Sequence, residues 1–124
     1  MVEKNEQVKP KEEEKDEDDY VPKRVPKVKQ FHFKNYDGET INLVFKKPHL
    51  KEAQEIRDVL INVGNGGGSI NNTEYYNQLM KKVIVSPVIT KRGPKEVNWK
   101  FFDDNGQIDN VMSAAGKFVD SMFL

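Results

Sequence analysis

Gln30-Phe31-His32-Phe33-Lys34 alternates apolar and polar side chains, and Ile41-Asn42-Leu43 carries the alternation on to Phe45. A period of two is that of a half-buried strand, so the two runs predict a β-hairpin. Asn35 to Glu39, with Asp37-Gly38 at its centre, lies between them. A two-residue Asp37-Gly38 loop would set Phe33 opposite Asn42 and mix apolar with polar residues on one face. A three-residue loop with Gly38 in the left-handed conformation instead pairs Phe33 with Ile41 and Phe31 with Leu43. That type I turn plus glycine bulge keeps both apolar sets together, and it is the register expected.

Pro48 ends the second strand and opens a helix, where a missing N–H costs nothing. Leu50, Ala53, Ile56, Leu60 and Val63 fall three and four apart, a core-facing stripe. Glu52 and Glu55 favour the positive end of that helix, and Gly64 suits its left-handed terminus. Gly64 to Ser69 then reads as a flexible connection. Asn72 or Thr73 caps a second helix bearing Tyr76, Leu79, Met80, Val83 and Ile84, stopped by Pro87. Val88-Ile89-Thr90 is short and apolar, Lys91 to Lys95 is a turn or loop, and the alternation of Val97, Trp99 and Phe101 suggests a third strand. Asp103 to Gly106 is a turn. The last helix has the clearest pattern, with Ile108, Val111, Met112, Ala115, Val119 and Met122 on one face. Phe118, Phe123 and Leu124 widen that stripe. The class is α+β: an N-terminal hairpin followed by a small, mainly α-helical domain.

Charge changes this picture at the N-terminus. Residues 1–20 carry nine acidic side chains and four lysines, with few large hydrophobic residues. Such a segment cannot bury enough apolar area to offset its ordering entropy. Lys23, Arg24, Lys27 and Lys29 then reverse the sign around Pro22 and Pro26, which reads as an extended linker. Residues 1–27 are therefore expected to be a disordered charged tail, and 28–124 a single domain. From Phe31 onward twelve Lys or Arg meet eleven Asp or Glu, and the whole chain balances twenty against twenty. No single-sign excess concentrates nucleic acid or an anionic membrane around it. With no cysteine there is neither disulfide framework nor thiolate metal site. The N-terminus lacks the apolar stretch of a signal peptide, and no apolar run nears membrane-spanning length, so a cytoplasmic protein is expected.

Candidate chemistry is sparse. Gly64 to Gly68 follows a helix and lacks the Lys-Ser or Lys-Thr closure of a phosphate loop. Asp103, Asp104 and Asp109 do not meet calcium-loop spacing, because counting back from Gly106 puts Phe101 at the first position and counting forward puts Met112 at the twelfth. His32, on the outer face of the hairpin, and His49, at a helix start, have no carboxylates spaced to join them around a metal. No nucleophile–base set assembles, and no enzyme, metal or cofactor is expected. Lys91 to Lys95 with Trp99 and Lys100 is a candidate nucleic-acid contact, offset by Glu96, Asp103 and Asp104; a solvated loop accounts for it better. The apolar C-terminus is different. A terminal helix that is apolar around more than half its circumference leaves surface to bury against a partner, and Phe118, Met122, Phe123 and Leu124 are the candidate partner-binding residues.

Several short patterns, in this order, resemble the tail assembly chaperones of long-tailed phages and prophages of Gram-positive bacteria. They are Phe31-His32-Phe33 with Leu43-Val44-Phe45, then Tyr76 through Val83-Ile84-Val85-Ser86-Pro87, then Trp99 with Phe102-Asp103, then Val111 to Phe118. The tail through Lys29 and the segment Lys91 to Glu96 depart from that pattern. The resemblance implies a protein that coats the tape measure protein, keeps it soluble during tail assembly, and is absent from the mature virion. It implies action in the host cytoplasm, with the tail tube protein and self-association as further contacts, and no membrane or nucleic acid. A longer frameshifted form is common in such proteins. Two other classes stay open: a structural tail protein retained in the particle, and a small nucleic-acid-binding regulator.

Overall fold

The expected hairpin forms with the expected register. A computed structural model describes residues 20–65 and 72–124, and the side chains of 61–65 lie outside that description. Strands β1 (Val28–Lys34) and β2 (Thr40–Lys46) pair antiparallel, with Phe33 opposite Ile41 and Phe31 opposite Leu43. Asn35 N–H donates to Glu39 O at 2.9 Å and Gly38 N–H to Asn35 O at 3.0 Å, enclosing a three-residue loop. Gly38 adopts φ +79°, the left-handed region that a side chain enters only at a cost. Phe33, Ile41, Leu43 and Phe45 are buried on one face, while His32 is exposed on the other.

Helix α1 (Leu50–Asn65) starts after buried Pro48. Glu52 Oε1 accepts from the His49 backbone N–H at 3.1 Å, which satisfies one orphan donor at the helix start. Ala53 and Ile56 face the core as expected, but Leu50 is 61% exposed. It stands at the first helical residue. The helix also runs through Gly64 to Asn65, so Gly64 does not terminate it. The side chain of Val63 and the glycine connection beyond Asn65 lie outside the described residues.

Helix α2 (Asn72–Lys82) buries Leu79 and Met80. Val83 and Ile84, expected on the same helix, leave it. Val83 N–H still donates to Leu79 O, but Lys46 N–H donates to Val83 O at 2.7 Å and Val85 N–H to Val44 O at 2.8 Å. The free edge of β2 captures this segment, with Ile84 bridged to Phe45.

Strand β3 (Val88–Thr90) pairs with β4 (Gly93–Lys95), so the basic loop is itself the turn of a second small hairpin. Arg92 at its tip lies 3.5 Å from Asp37 and 3.4 Å from Glu39 in the first hairpin's loop. The third strand expected at Val97 to Phe101 is instead helix α3 (Trp99–Asn105). Asn98 caps it, its side chain accepting from Phe101 N–H at 2.9 Å. The adjacent Phe101 and Phe102 are both buried, which a strand open to solvent on one face would not permit. Gly106, at φ +79°, ends α3 by donating to Phe102 O at 2.8 Å. Helix α4 (Ile108–Asp120) then packs its apolar stripe on the hairpin, and Ser121–Phe123 tightens into one 3-10 turn. No helix among the described residues is long and apolar enough to cross a membrane.

Candidate functional site

Helix α4 runs along the hairpin from its loop to its open end, and the four candidate partner-binding residues arrive at that open end in unequal positions. Phe118 is only 4% exposed, its ring centroid 6.2 Å from that of Phe45. It is therefore core, not free surface. It stands seven residues after Val111 and three after Ala115, which places it in the inward stripe. Met122 and Phe123 are half-buried against the core. The Arg57 guanidinium sits 4.0 Å above the Phe123 ring, covering it with a cation–π contact. Leu124 is 85% exposed.

Around these residues the extended segment 20–29 forms a wall. Val25 is half-buried against the core, and Lys27 O accepts from Lys47 N–H at 2.8 Å. These two contacts hold the segment across the end of α4 and leave a cleft on either side. One cleft, of about 660 Å³, lies between the segment, the end of β2, the start of α1 and Met122. The other, of about 690 Å³, lies between Tyr20–Lys29 and the face of α4 bearing Lys117 and Phe118. Both are lined by Arg24, Val25, Ser121 and Leu124, so they are two lobes of one groove. Among the described residues, Tyr20, Val21, Val28, Leu50 and Leu124 are five of the nine exposed large hydrophobic residues, and all line this groove. Apolar exposure is thus gathered in one place, as at surfaces that bury against a partner.

Sequence reasoning placed Met122 and Leu124 at this surface and missed Val25 and Leu50. The signal available for Val25 was a lone apolar residue inside a basic Pro-flanked linker. Leu50 carried none, because helical spacing assigned it inward.

A second surface joins α2, α3 and α4. Trp99, 41% exposed, stacks on Tyr76 with centroids 6.3 Å apart and donates its indole N–H to Asn77 at 2.8 Å. Tyr76 donates its hydroxyl to Asp109 at 2.6 Å. Burial, then the Asp109 hydrogen bond and charge, push the Tyr76 pKa up to about 12. Burial and, secondarily, Asp120 also raise that of Tyr75. The polar tips of Trp99 and Tyr76 thus have partners within the chain, and the cluster ties three helices together. Asp103 to Asn105, expected as a turn, close α3 instead and are used in the same way: Asp104 pairs with Lys100 at 3.4 Å, and Asn105 Oδ1 accepts from Asn35 at 2.9 Å. Among the described residues, no group of three His, Asp or Glu is placed to hold a metal ion.

Comparison of the chain with protein-family models, with curated proteins and with solved structures gives no match.

Proposed function

We propose that the chain is a tail assembly chaperone, which binds the apolar faces of a tape measure protein in the host cytoplasm and is released as the tail tube covers them. The observation that carries this reading is the gathering of exposed apolar side chains into one groove at the C-terminal end of α4. The ordered sequence patterns from Phe31 to Phe118 supply the family. A long helical protein exposes apolar faces until its partners assemble, and a small binder screens them from aggregation. Such a binder must also leave, which modest affinity at each of many sites permits.

Co-expression with a tape measure protein, followed by pull-down and a solubility assay, tests the reading. The chain is expected to hold the tape measure protein in the soluble fraction. The Leu50→Ser/Leu124→Ser double variant is expected to lose that effect while keeping its circular dichroism spectrum. A tape measure protein that stays insoluble beside the natural chain overturns the proposal, as does recovery of the chain in purified particles.

A further inference from the structure

The groove has a second property that its apolar lining does not explain. Its linker wall brings Lys23, Arg24, Lys27 and Lys29 to the rim. Lys46 and Lys47 from the end of β2, and Lys117 from α4, face them across the two lobes. No Asp or Glu side chain lines either lobe. The ion pairs of the described residues involve Arg57, Lys82, Arg92 and Lys100, and none of the seven groove cations. Outside the groove four cations do have carboxylate partners, as Arg92 has in Asp37 and Glu39. In a chain of zero formal net charge, one concave surface thus gathers seven cationic side chains around an apolar floor.

We infer that the groove binds a protein segment that presents one or two large apolar side chains flanked by carboxylates. The floor selects the apolar part, because Val25, Leu50, Met122 and Leu124 gain nothing from a purely ionic ligand. The rim selects the charge: a cationic segment would meet like charges, whereas a carboxylate pairs without displacing a partner among the described residues. Concavity distinguishes this occupant from a lipid surface, which a flat or protruding face meets better. The apolar floor distinguishes it from nucleic acid, whose phosphates would leave that floor exposed to water. On the chaperone reading, which alone names the partner chain, the contact segments of the tape measure protein are then acidic as well as apolar.

The test uses the full chain and two fluorescently labelled synthetic peptides. Both carry the same Leu and Phe residues, flanked by Glu in one and by Lys in the other. Anisotropy is read at 50 and 300 mM NaCl. The Glu peptide is expected to bind at least about tenfold more tightly at low salt, with the gap narrowing at high salt as screening grows. Lys46→Glu/Lys117→Glu, two exposed changes checked by melting temperature, should abolish the preference. Leu50→Ser/Leu124→Ser should weaken the Glu peptide without reversing the preference. Equal affinity for the two peptides overturns the inference, as does equally tight binding of a Glu peptide lacking Leu and Phe. Tighter binding of a single-stranded oligonucleotide or of phosphatidylserine vesicles than of the Glu peptide also overturns it. So does binding that appears only after the seven acids of Glu12 to Asp19 are neutralised, since the groove would then belong to this chain's own acidic segment. Because no tape measure protein is used, peptide binding stands or falls separately from the chaperone reading.

Discussion

The two ends of α4 solve opposite problems. At its N-terminal end the side chains of Asn35, Asn105, Gln107 and Asp109 find partners within the chain. The buried Asn35 side chain donates to Glu39 at 3.1 Å and to Asn105 at 2.9 Å, and accepts from the backbone N–H groups of Asp37 and Glu39 at 3.0 and 2.9 Å. Gln107 donates to Lys34 O at 2.9 Å, fastening the start of α4 to the hairpin. At the C-terminal end, Lys46, Lys47 and Lys117 enter no ion pair among the described residues, and Leu50 and Leu124 lie open. One end spends its polar groups on internal order, which leaves nothing over for a ligand. The other leaves charge and apolar area unsatisfied, which costs stability but is what recognition needs.

The sharpest way to break this contrast is at Phe118, which lies close to the groove yet belongs to the core. Phe118→Ala should destabilise the fold by about 3–5 kcal/mol in urea denaturation. A loss below about 1 kcal/mol would return Phe118 to the partner surface. At the other end, Asn35→Ala should cost about 2 kcal/mol, because it strips acceptors from two loop amides at once. Asn35→Asp should recover little of that loss, since the acceptor survives but the bonds to Asn105 and Glu39 do not, and the new carboxylate faces that of Glu39. Gly106→Ala should cost about 1 kcal/mol from its positive φ. An added Cβ would also approach the Tyr36 ring at 2.7 Å, but Tyr36 is 75% exposed and can swing away. Tyr36→Ala in the same chain should therefore rescue little of the loss.

Tyr76 gives a pH test of the internal side of the contrast. Its folded-state pKa of about 12 lies above the ordinary value of 10.0, so the folded chain holds this proton more tightly than the unfolded chain. The resulting stabilisation is complete below pH 10 and is lost as pH rises from 10 through about 12. Tyr76→Phe should flatten that part of the alkaline denaturation profile and leave the neutral-pH side unchanged in shape. The smallest effect on stability is expected at the groove. Leu50→Ser/Leu124→Ser should shift stability by no more than about 0.5 kcal/mol, because both side chains are already exposed. A larger loss would mean that the groove is part of the core and not a surface held for a partner.

The chain's own pattern determined the hairpin and its register, because a period of two and a glycine able to take positive φ act within the short stretch from Val28 to Lys46. It equally determined α4, whose stripe repeats over three turns. Helix α3 was locally encoded too, but Asn98 as a cap competed with the alternation of Val97, Trp99 and Phe101, and the alternation read as a strand. Tertiary structure alone decided the fate of Val83 and Ile84. Their spacing continues α2, yet the unpaired edge of β2 offers backbone hydrogen bonds that only the folded hairpin can present. It also decided which residues of an apolar helix end are covered: Phe118 by Phe45, Phe123 by Arg57, Leu124 by nothing within the described chain. The groove belongs wholly to this second kind. Its walls come from residues 20–29, 46–50 and 117–124, which are separate in sequence, so no local periodicity records that they meet.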